Sequence, residues 1–151
     1  MKKFTLHKLK TRAPKIPEYS CPVIDEIIAD LSTDPNMTAK KFSKISDLWS
    51  PKVIAEMNDY QFKLVKIKDD FTFHKHNETD EVFFVVDGEM FIEFKDKTVE
   101  LNKGELYVVP KGVEHRPYAE DECQIMLIEP RGVINTGENK NDLTASNDVW
   151  I

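Results

Sequence analysis

Residues 81–94 read EVFFVVDGEMFIEF and decide the class of fold, because two β-rich runs flank the strongest turn signal of the chain. Apolar and β-branched residues dominate both runs, which is typical of strands. Asp87 and Gly88 separate the runs, and a tight turn at such a pair needs a positive φ that glycine adopts without steric penalty. The stretch therefore predicts two antiparallel strands joined as a hairpin.

Further β-rich runs lie on both sides of this stretch, and turn residues at 102–104 and 110–112 separate some of them. Several short strands at such spacing are typical of an antiparallel sandwich or barrel. We therefore expect an all-β fold. The expected strands are residues 61–68, 71–76, 81–86, 89–94, 98–101, 106–109 and 124–129.

The first forty residues differ in character from the rest. Residues 1–17 carry six Lys or Arg and no acid, which leaves 15 Lys or Arg against 27 Asp or Glu in the other 134 residues. Residues 22–31 begin with Pro22 and repeat apolar residues at helical spacing, which indicates a short amphipathic helix. We expect an N-terminal extension over residues 1–40, made of a basic arm and this helix. A barrel over residues 41–151 follows, with its core motifs at 53–130.

The composition excludes several classes of protein. A chain of 151 residues with 40% hydrophobic residues can close one core, and no apolar run approaches the roughly 18 residues of a membrane span. The net charge of −6 argues against a nucleic-acid partner, because phosphate binding needs a basic surface. Two cysteines are too few for a disulfide framework. The basic start lacks the apolar run of a secretory signal, so a cytoplasmic protein without a membrane partner is expected.

The four histidines include a pair with the spacing of a metal site. His74 and His76 are two residues apart in a β-rich run, so a strand would present both imidazoles on one face. Glu81 follows shortly afterwards, and a Pro/Gly turn later leads to His115. Three imidazoles and one carboxylate suit a single divalent transition metal ion (Fe, Mn, Ni, Zn, Co or Cu) and leave positions open for a substrate.

Two motifs carry a resemblance to a known family. The first is His74-x-His76-x4-Glu81-x6-Gly88, and the second is Gly104-x5-Pro110-x-Gly112-x2-His115. In order and spacing they resemble the two-part signature of the cupin superfamily over residues 53–130. The resemblance implies an antiparallel double-stranded β-helix (a jelly-roll barrel) that holds one metal ion, with four ligands: His74, His76, Glu81 and His115. The signature often continues to an asparagine where this chain has Ala119; that asparagine is not a ligand.

Other residues compete for places in this site. Asp80 is an alternative to Glu81, although the six-residue gap to Gly88 favours Glu81. Glu78 is expected in solvent, as is His7 in the basic arm. Tyr107 or Leu106 is expected to line the wall beneath the third histidine. Cationic side chains near the mouth could attract an anionic substrate or be solvated: Lys75, Lys111 and Arg116.

The leading hypothesis for function is a metal-dependent enzyme that acts on a small oxygenated molecule. The resemblance implies isomerases, lyases and dioxygenases alike, because one ligand set serves all of them. No catalytic residue is evident beyond the metal ligands. The alternative is a metal- or ligand-binding sensor domain without turnover. A homodimer is expected as well, because a small barrel leaves sheet edges to cover.

Overall fold

A computed structural model describes residues 37–151, in which the chain forms one short helix, α1 (Met37–Phe42), and seven strands. The predicted all-β fold is confirmed. The basic arm and the predicted helix at residues 22–31 lie outside the described residues, so the division of the chain at residue 40 stays a prediction. The strands are β1 (Lys52–Met57), β2 (Tyr60–Asp70), β3 (Glu81–Asp87), β4 (Glu89–Glu93), β5 (Thr98–Asn102), β6 (Leu106–Val109) and β7 (Arg116–Pro130).

The sheet is built around its longest strand, β7. All strand pairs are antiparallel, and the strand order is β1-β2-β7-β3-β6, with β4 attached to β7 and β5 attached to β4. The second half of β7 lies between β2 and β3, while its first residues pair with β4. This sheet, which curls around β7, forms the jelly-roll barrel.

Two hydrophobic clusters lie on opposite sides of the sheet. On the outer side, Phe42 of α1 and Ile45 pack against Leu64 of β2 and cover part of the sheet. The inner cluster comes from alternate positions of the strands, as the pleat requires. Its largest members are Val65, Ile67, Phe83, Val85, Met90, Ile92, Phe94, Leu101, Val109, Ile125 and Leu127. The polar side chains described below lie on this inner side.

The predicted hairpin at Asp87 and Gly88 is wrong. Strands β3 and β4 do not pair with each other; both pair with β7, one after the other along its length. Gly88 has the expected positive φ, 90°, but its role is to let the chain bend closely over β7. A Cβ at position 88 would lie 3.2 Å from the Cα atom of Cys123. The sequence thus correctly marked a bend at Gly88. The strand that pairs with β3 and β4, however, is β7, from a distant part of the sequence.

Three other expectations about the strands need correction. The predicted strand at residues 71–76 is wrong, because within it only His74 forms a bridge. Strand β1 was not among the predicted strands. Strand β7 begins at Arg116 rather than at residue 124, because exposed acidic residues at 120–122 conceal the alternation of its inward residues. In irregular stretches of the barrel, the sequence pattern therefore both predicts a strand that does not form and misses strand residues that do.

An apolar edge bears on the expected homodimer. Strand β6 ends the main strand order and pairs only with β3 among the described strands. Its Leu106 and Val108 are 58% and 45% exposed. Such edges are usually covered in proteins, so this edge supports the homodimer, which stays a prediction.

The helix α1, the one helix of residues 37–151, lacks the length and apolar character that crossing a membrane requires.

We predict that Gly88→Ala destabilises the fold more than Gly104→Ala does. Both glycines have positive φ, 90° and 86°, so an alanine is strained at either position. A Cβ at 104 meets nothing within 4 Å, whereas one at 88 presses on the backbone of β7. The expected loss for Gly88→Ala is roughly 1–3 kcal/mol in the free energy of unfolding, measured by urea titration. Equal losses in the two variants would contradict the close approach to β7.

Candidate metal centre

His74 and His115 lie opposite each other at an isolated bridge that joins two segments outside the sheet. The His74 N–H donates to the His115 carbonyl at 3.0 Å, and the His115 N–H donates to the His74 carbonyl at 2.9 Å. The ring centroids are 4.4 Å apart. The backbone itself therefore brings together two imidazoles that are far apart in the sequence.

His76 and Glu81 complete the predicted group. Glu81 is the first residue of β3, and its Oε2 lies 3.2 Å from His115 Nε2 and 3.4 Å from His76 Nε2. The rings of His74 and His76 have centroids 5.1 Å apart. All four side chains are buried, and the most accessible, His76, is 7% exposed. The structure thus brings all four predicted side chains into one buried region. Within it His74, Glu81 and His115 form one group that could hold a metal ion, and His76 and Glu81 belong to a second such group.

Backbone carbonyls orient two of the rings. His74 Nδ1 lies 3.0 Å from the Thr72 carbonyl, and His115 Nδ1 lies 3.0 Å from the Val113 carbonyl. Because a carbonyl only accepts, each Nδ1 carries the hydrogen and donates it. In the neutral ring the lone pair is then on Nε2, the atom of His115 that faces Glu81. A metal-binding imidazole usually donates the N–H of its other ring nitrogen to a carbonyl or carboxylate in this way.

Burial and mutual contacts shift the pKa values of these groups. Burial lowers the pKa of His74 to about 4, further helped by the neighbouring His115. Burial alone would raise the pKa of Glu81, but its close contacts with His115 and His76, which attract the carboxylate when these rings are protonated, outweigh burial and hold this pKa well below its usual range. For His76, burial is outweighed by the Glu81 carboxylate, which raises the pKa of the imidazole. A neutral His74 and an ionised Glu81 are the forms that bind metals.

The competing residues do not reach the group. Asp80 is exposed, and its Oδ1 accepts a hydrogen bond from the Lys111 N–H at 2.8 Å. Glu78 is exposed as expected. His7 lies outside the described residues. Glu81, rather than Asp80, is thus the carboxylate that faces the histidines.

The sequence analysis missed a buried ion pair beside the group. Lys63 Nζ lies 2.9 Å from Glu129 Oε1, and the two side chains are 2% and 1% exposed. Burial and the negative charge of Glu81 outweigh Lys63 and raise the pKa of Glu129 to about 7. A signal was available: Lys63 alternates with Val65 and Ile67 along β2, and such positions face the interior.

Two possible ligand atoms of the site accept no hydrogen bond. Among residues 37–151, His76 Nε2 and Glu129 Oε2 are buried without a hydrogen-bond partner. A buried polar atom left unpaired costs roughly 1–3 kcal/mol. A divalent cation would satisfy both atoms, since imidazole nitrogen and carboxylate oxygen are ligands for transition metals. The residues present therefore fit a metal ion.

A small apolar cavity of about 20 Å³, with room for about one water molecule, adjoins the group. His74, Glu81 and Asn135 form the polar part of its wall. Trp49 and Phe71 stack with their ring centroids 4.6 Å apart, and the edge of Phe71 faces His74. The other walls are mainly aliphatic and aromatic, and they include Val65, Ile67, Phe83, Ile125 and Leu127. An apolar cavity with a few convergent polar groups is typical of small-molecule sites.

The expected wall and mouth residues lie elsewhere. Tyr107 packs on Phe94 near Lys97, and Leu106 is exposed at the β6 edge, so neither lines this cavity. Arg116 binds Glu93 and Asp70, and Lys75 and Lys111 are exposed. No Lys or Arg among the described residues lines the cavity. The expected attraction of an anionic substrate therefore finds no support in the cavity wall.

Comparisons with known proteins agree with this fold. The family model described as Cupin domain matches residues 63–129. The crystal structure of a cupin-2 domain containing protein from Shewanella frigidimarina is 58% identical, covers 62% of this chain and 91% of that chain, and has a TM-score of 0.61. YdbB of Bacillus subtilis is 39% identical over 42% of this chain and 57% of its own length. "Putative dioxygenase SSO1533" of Saccharolobus solfataricus is 22% identical over 87% of this chain and 35% of its own length.

The curled antiparallel sheet, with its buried His/Glu group, defines a small β-barrel that could hold a metal ion inside. Together with the match to the family model and to the Shewanella protein, this shows that the chain belongs to the cupin superfamily. The chain spans about half the length of YdbB and about a third of the archaeal relative.

We predict that Lys63→Met lowers the free energy of unfolding by about 3–5 kcal/mol, because it leaves Glu129 without its cationic partner in the interior. Lys66→Met on the same strand is the matched control. Lys66 faces Glu122 at 3.5 Å near the surface, so its loss should change stability by less than about 1 kcal/mol. Urea unfolding with a chelator present measures both values. Similar effects of the two substitutions would refute the importance of the buried pair.

We also predict that His74 lowers the stability of the metal-free protein as the pH falls from about 6.5 to about 4, whereas Glu129, whose pKa is raised to about 7, acts in the opposite sense. In this interval the unfolded chain protonates His74 while the folded chain keeps it neutral, so the unfolded state binds more protons and acid favours it. The contribution of His74 is about 3 kcal/mol over the interval. Urea titrations in chelator at several pH values should show a shallower decline for His74→Gln. An unchanged decline would mean that His74 is not held neutral.

Proposed function

We propose that the chain is a metal-dependent enzyme that acts on a small oxygenated molecule. The observation that carries this proposal is the buried group of His74, His76, Glu81 and His115, two of whose members, His74 and Glu81, line an apolar cavity. Three imidazoles and a carboxylate would hold one divalent transition metal ion and leave room for a substrate oxygen. Such an ion polarises a carbonyl group and, as iron or copper, supports oxygen chemistry.

The cavity wall supports a particular class of substrate. Because its lining contains no Lys or Arg, an anionic group such as a phosphate would lose its hydration without gaining a partner. The indole N–H of Trp49 donates to the Lys68 carbonyl at 2.9 Å, which fixes the stacked face of Trp49 and Phe71. This face would hold a flat, apolar body. A neutral diketone or phenol, with its oxygens toward Glu81 and the histidines, would match the chemistry of these walls. It would have to displace wall side chains to enter, because the cavity has room for about one water molecule.

Of the isomerase, lyase and dioxygenase types, we propose the dioxygenase type first. The name of the archaeal relative points to it, although the identity of 22% is low and only a third of that protein is covered. The apolar wall also suits an uncharged substrate together with dioxygen. The remaining side chains would exclude water and orient the substrate: Phe83, Ile125 and Leu127 close the cavity on the side of the barrel core.

The alternative is a metal- or ligand-binding domain without turnover. It is favoured by the size of the cavity, about 20 Å³, which is far below the roughly 300–1,000 Å³ of ordinary ligand pockets. Outside the four-residue group and Glu129, the cavity region also offers no evident acid–base side chain. The cytoplasmic location and the homodimer are proposals that either function would accommodate.

Elemental analysis tests the metal, and activity screening then separates the two functions. We expect the purified protein to contain about one divalent transition metal ion per chain and His76→Ala to lose most of it, because donor nitrogen is removed. His7→Ala, which removes the histidine outside the motifs, should retain the metal.

Oxygen uptake with diketones and phenols is then measured on the metal-loaded protein. Uptake by the wild type and not by His76→Ala would support the dioxygenase. Bound metal without uptake, but with isomerisation or cleavage of the substrate, would favour the isomerase or lyase type. Bound metal with no turnover would support the sensor domain, and metal content equal in His76→Ala and the wild type would overturn the site.

A further inference from the structure

A second group of possible donor atoms lies beside the four-residue group and shares part of it. The ligand atoms of His76, Glu81 and Glu129 all lie within 4.8 Å of one another, as do those of His74, Glu81 and His115. All five residues are buried. The cupin motifs account for four of them and do not include Glu129, which lies near the end of β7.

Lys63 holds one oxygen of Glu129 and leaves the other free. The Lys63 ammonium lies 2.9 Å from Glu129 Oε1, and its further contact is Asn147 Oδ1 at 3.4 Å. Glu129 Oε2 is buried without a hydrogen-bond partner among the described residues, and so is His76 Nε2. Since a desolvated carboxylate oxygen is costly to leave unpaired, its position beside other ligand atoms suits it to bind a cation.

The charges of the interior lead to the same conclusion. When ionised, Glu81 and Glu129 contribute two negative charges and Lys63 one positive charge, all in side chains no more than 3% exposed. The remaining negative charge has only the titratable imidazoles, chiefly His76 at 3.4 Å from Glu81, as possible counter-charges within the protein. A divalent ion between the two carboxylates would compensate it at close range.

We propose that Glu129 is a further ligand of the cation in this site, donating Oε2, and that Lys63 is the positioning residue that holds it. This inference rests on the proposed metal binding and extends it from four protein ligands to five. A second carboxylate makes the donor set richer in oxygen and raises its coordination number. Such a set strengthens the binding of six-coordinate, oxygen-preferring ions such as Mn²⁺ and Fe²⁺ more than that of Zn²⁺, which prefers four ligands.

Chelator competition with Mn²⁺ and with Zn²⁺ tests the proposal on the full chain. We expect Glu129→Gln to weaken Mn²⁺ binding at least about tenfold and Zn²⁺ binding distinctly less. Glu129→Asp keeps the charge but withdraws the oxygen by one methylene, so it should also weaken Mn²⁺ binding. Glu122→Gln, an exposed acid on the same strand, is the matched control and should bind both ions like the wild type.

The outcomes separate direct donation from other effects of Glu129. If Glu129→Gln weakens both ions by the same factor and Glu129→Asp binds normally, Glu129 acts through its charge alone and the proposal is wrong. Wild-type Mn²⁺ affinity in Glu129→Gln would also overturn it, while His115→Ala in the same assay shows whether the four-residue site binds at all. If the wild type binds neither ion, the proposed function falls as well. Near-UV circular dichroism confirms that each variant is folded.

Discussion

Two backbone hydrogen bonds between His74 and His115 set the geometry on which the rest of the site depends. They join the segment after β2 to the segment before β7, where the sheet itself is interrupted. Because each ring also donates Nδ1–H to a nearby carbonyl, neither imidazole is free to turn. Backbone hydrogen bonds and carbonyl acceptors therefore hold both imidazoles in place. Glu81, the first residue of β3, supplies the carboxylate that faces them.

The barrel interior is divided into an apolar part and a polar part. The strands contribute Val65, Ile67 and Leu127 to the apolar cavity, and from neighbouring inward positions of the same strands they contribute Lys63 and Glu129. Burying these charges is unfavourable unless each has a partner. Ion pairing and the proposed cation supply the partners, so the stability of the polar part and its capacity to bind a ligand have the same physical origin.

Turn and alternation signals predicted the all-β fold because they are local, whereas the place of His115 in the group of four came from the family resemblance. Glycine and proline mark the turns, and the short intervals between His74, His76 and Glu81 keep these residues close together whatever the rest of the chain does. The errors in the strand predictions arise where a strand pairs with another that is distant in the sequence. Gly88 lies in a bend over β7 rather than in a hairpin, since the partners of β3 and β4 lie more than twenty residues farther along the chain.

The sequence by itself determined the fold class, the family resemblance and the residue types of the predicted site, because alternation and spacing are properties of neighbouring residues. Only the tertiary structure decided that Glu81 rather than Asp80 faces the histidines, that the cavity wall lacks cationic side chains and that Lys63 and Glu129 form a buried pair. The reason is physical: burial and electrostatic partnership depend on which distant strands become neighbours, and strand pairing in a barrel is nonlocal.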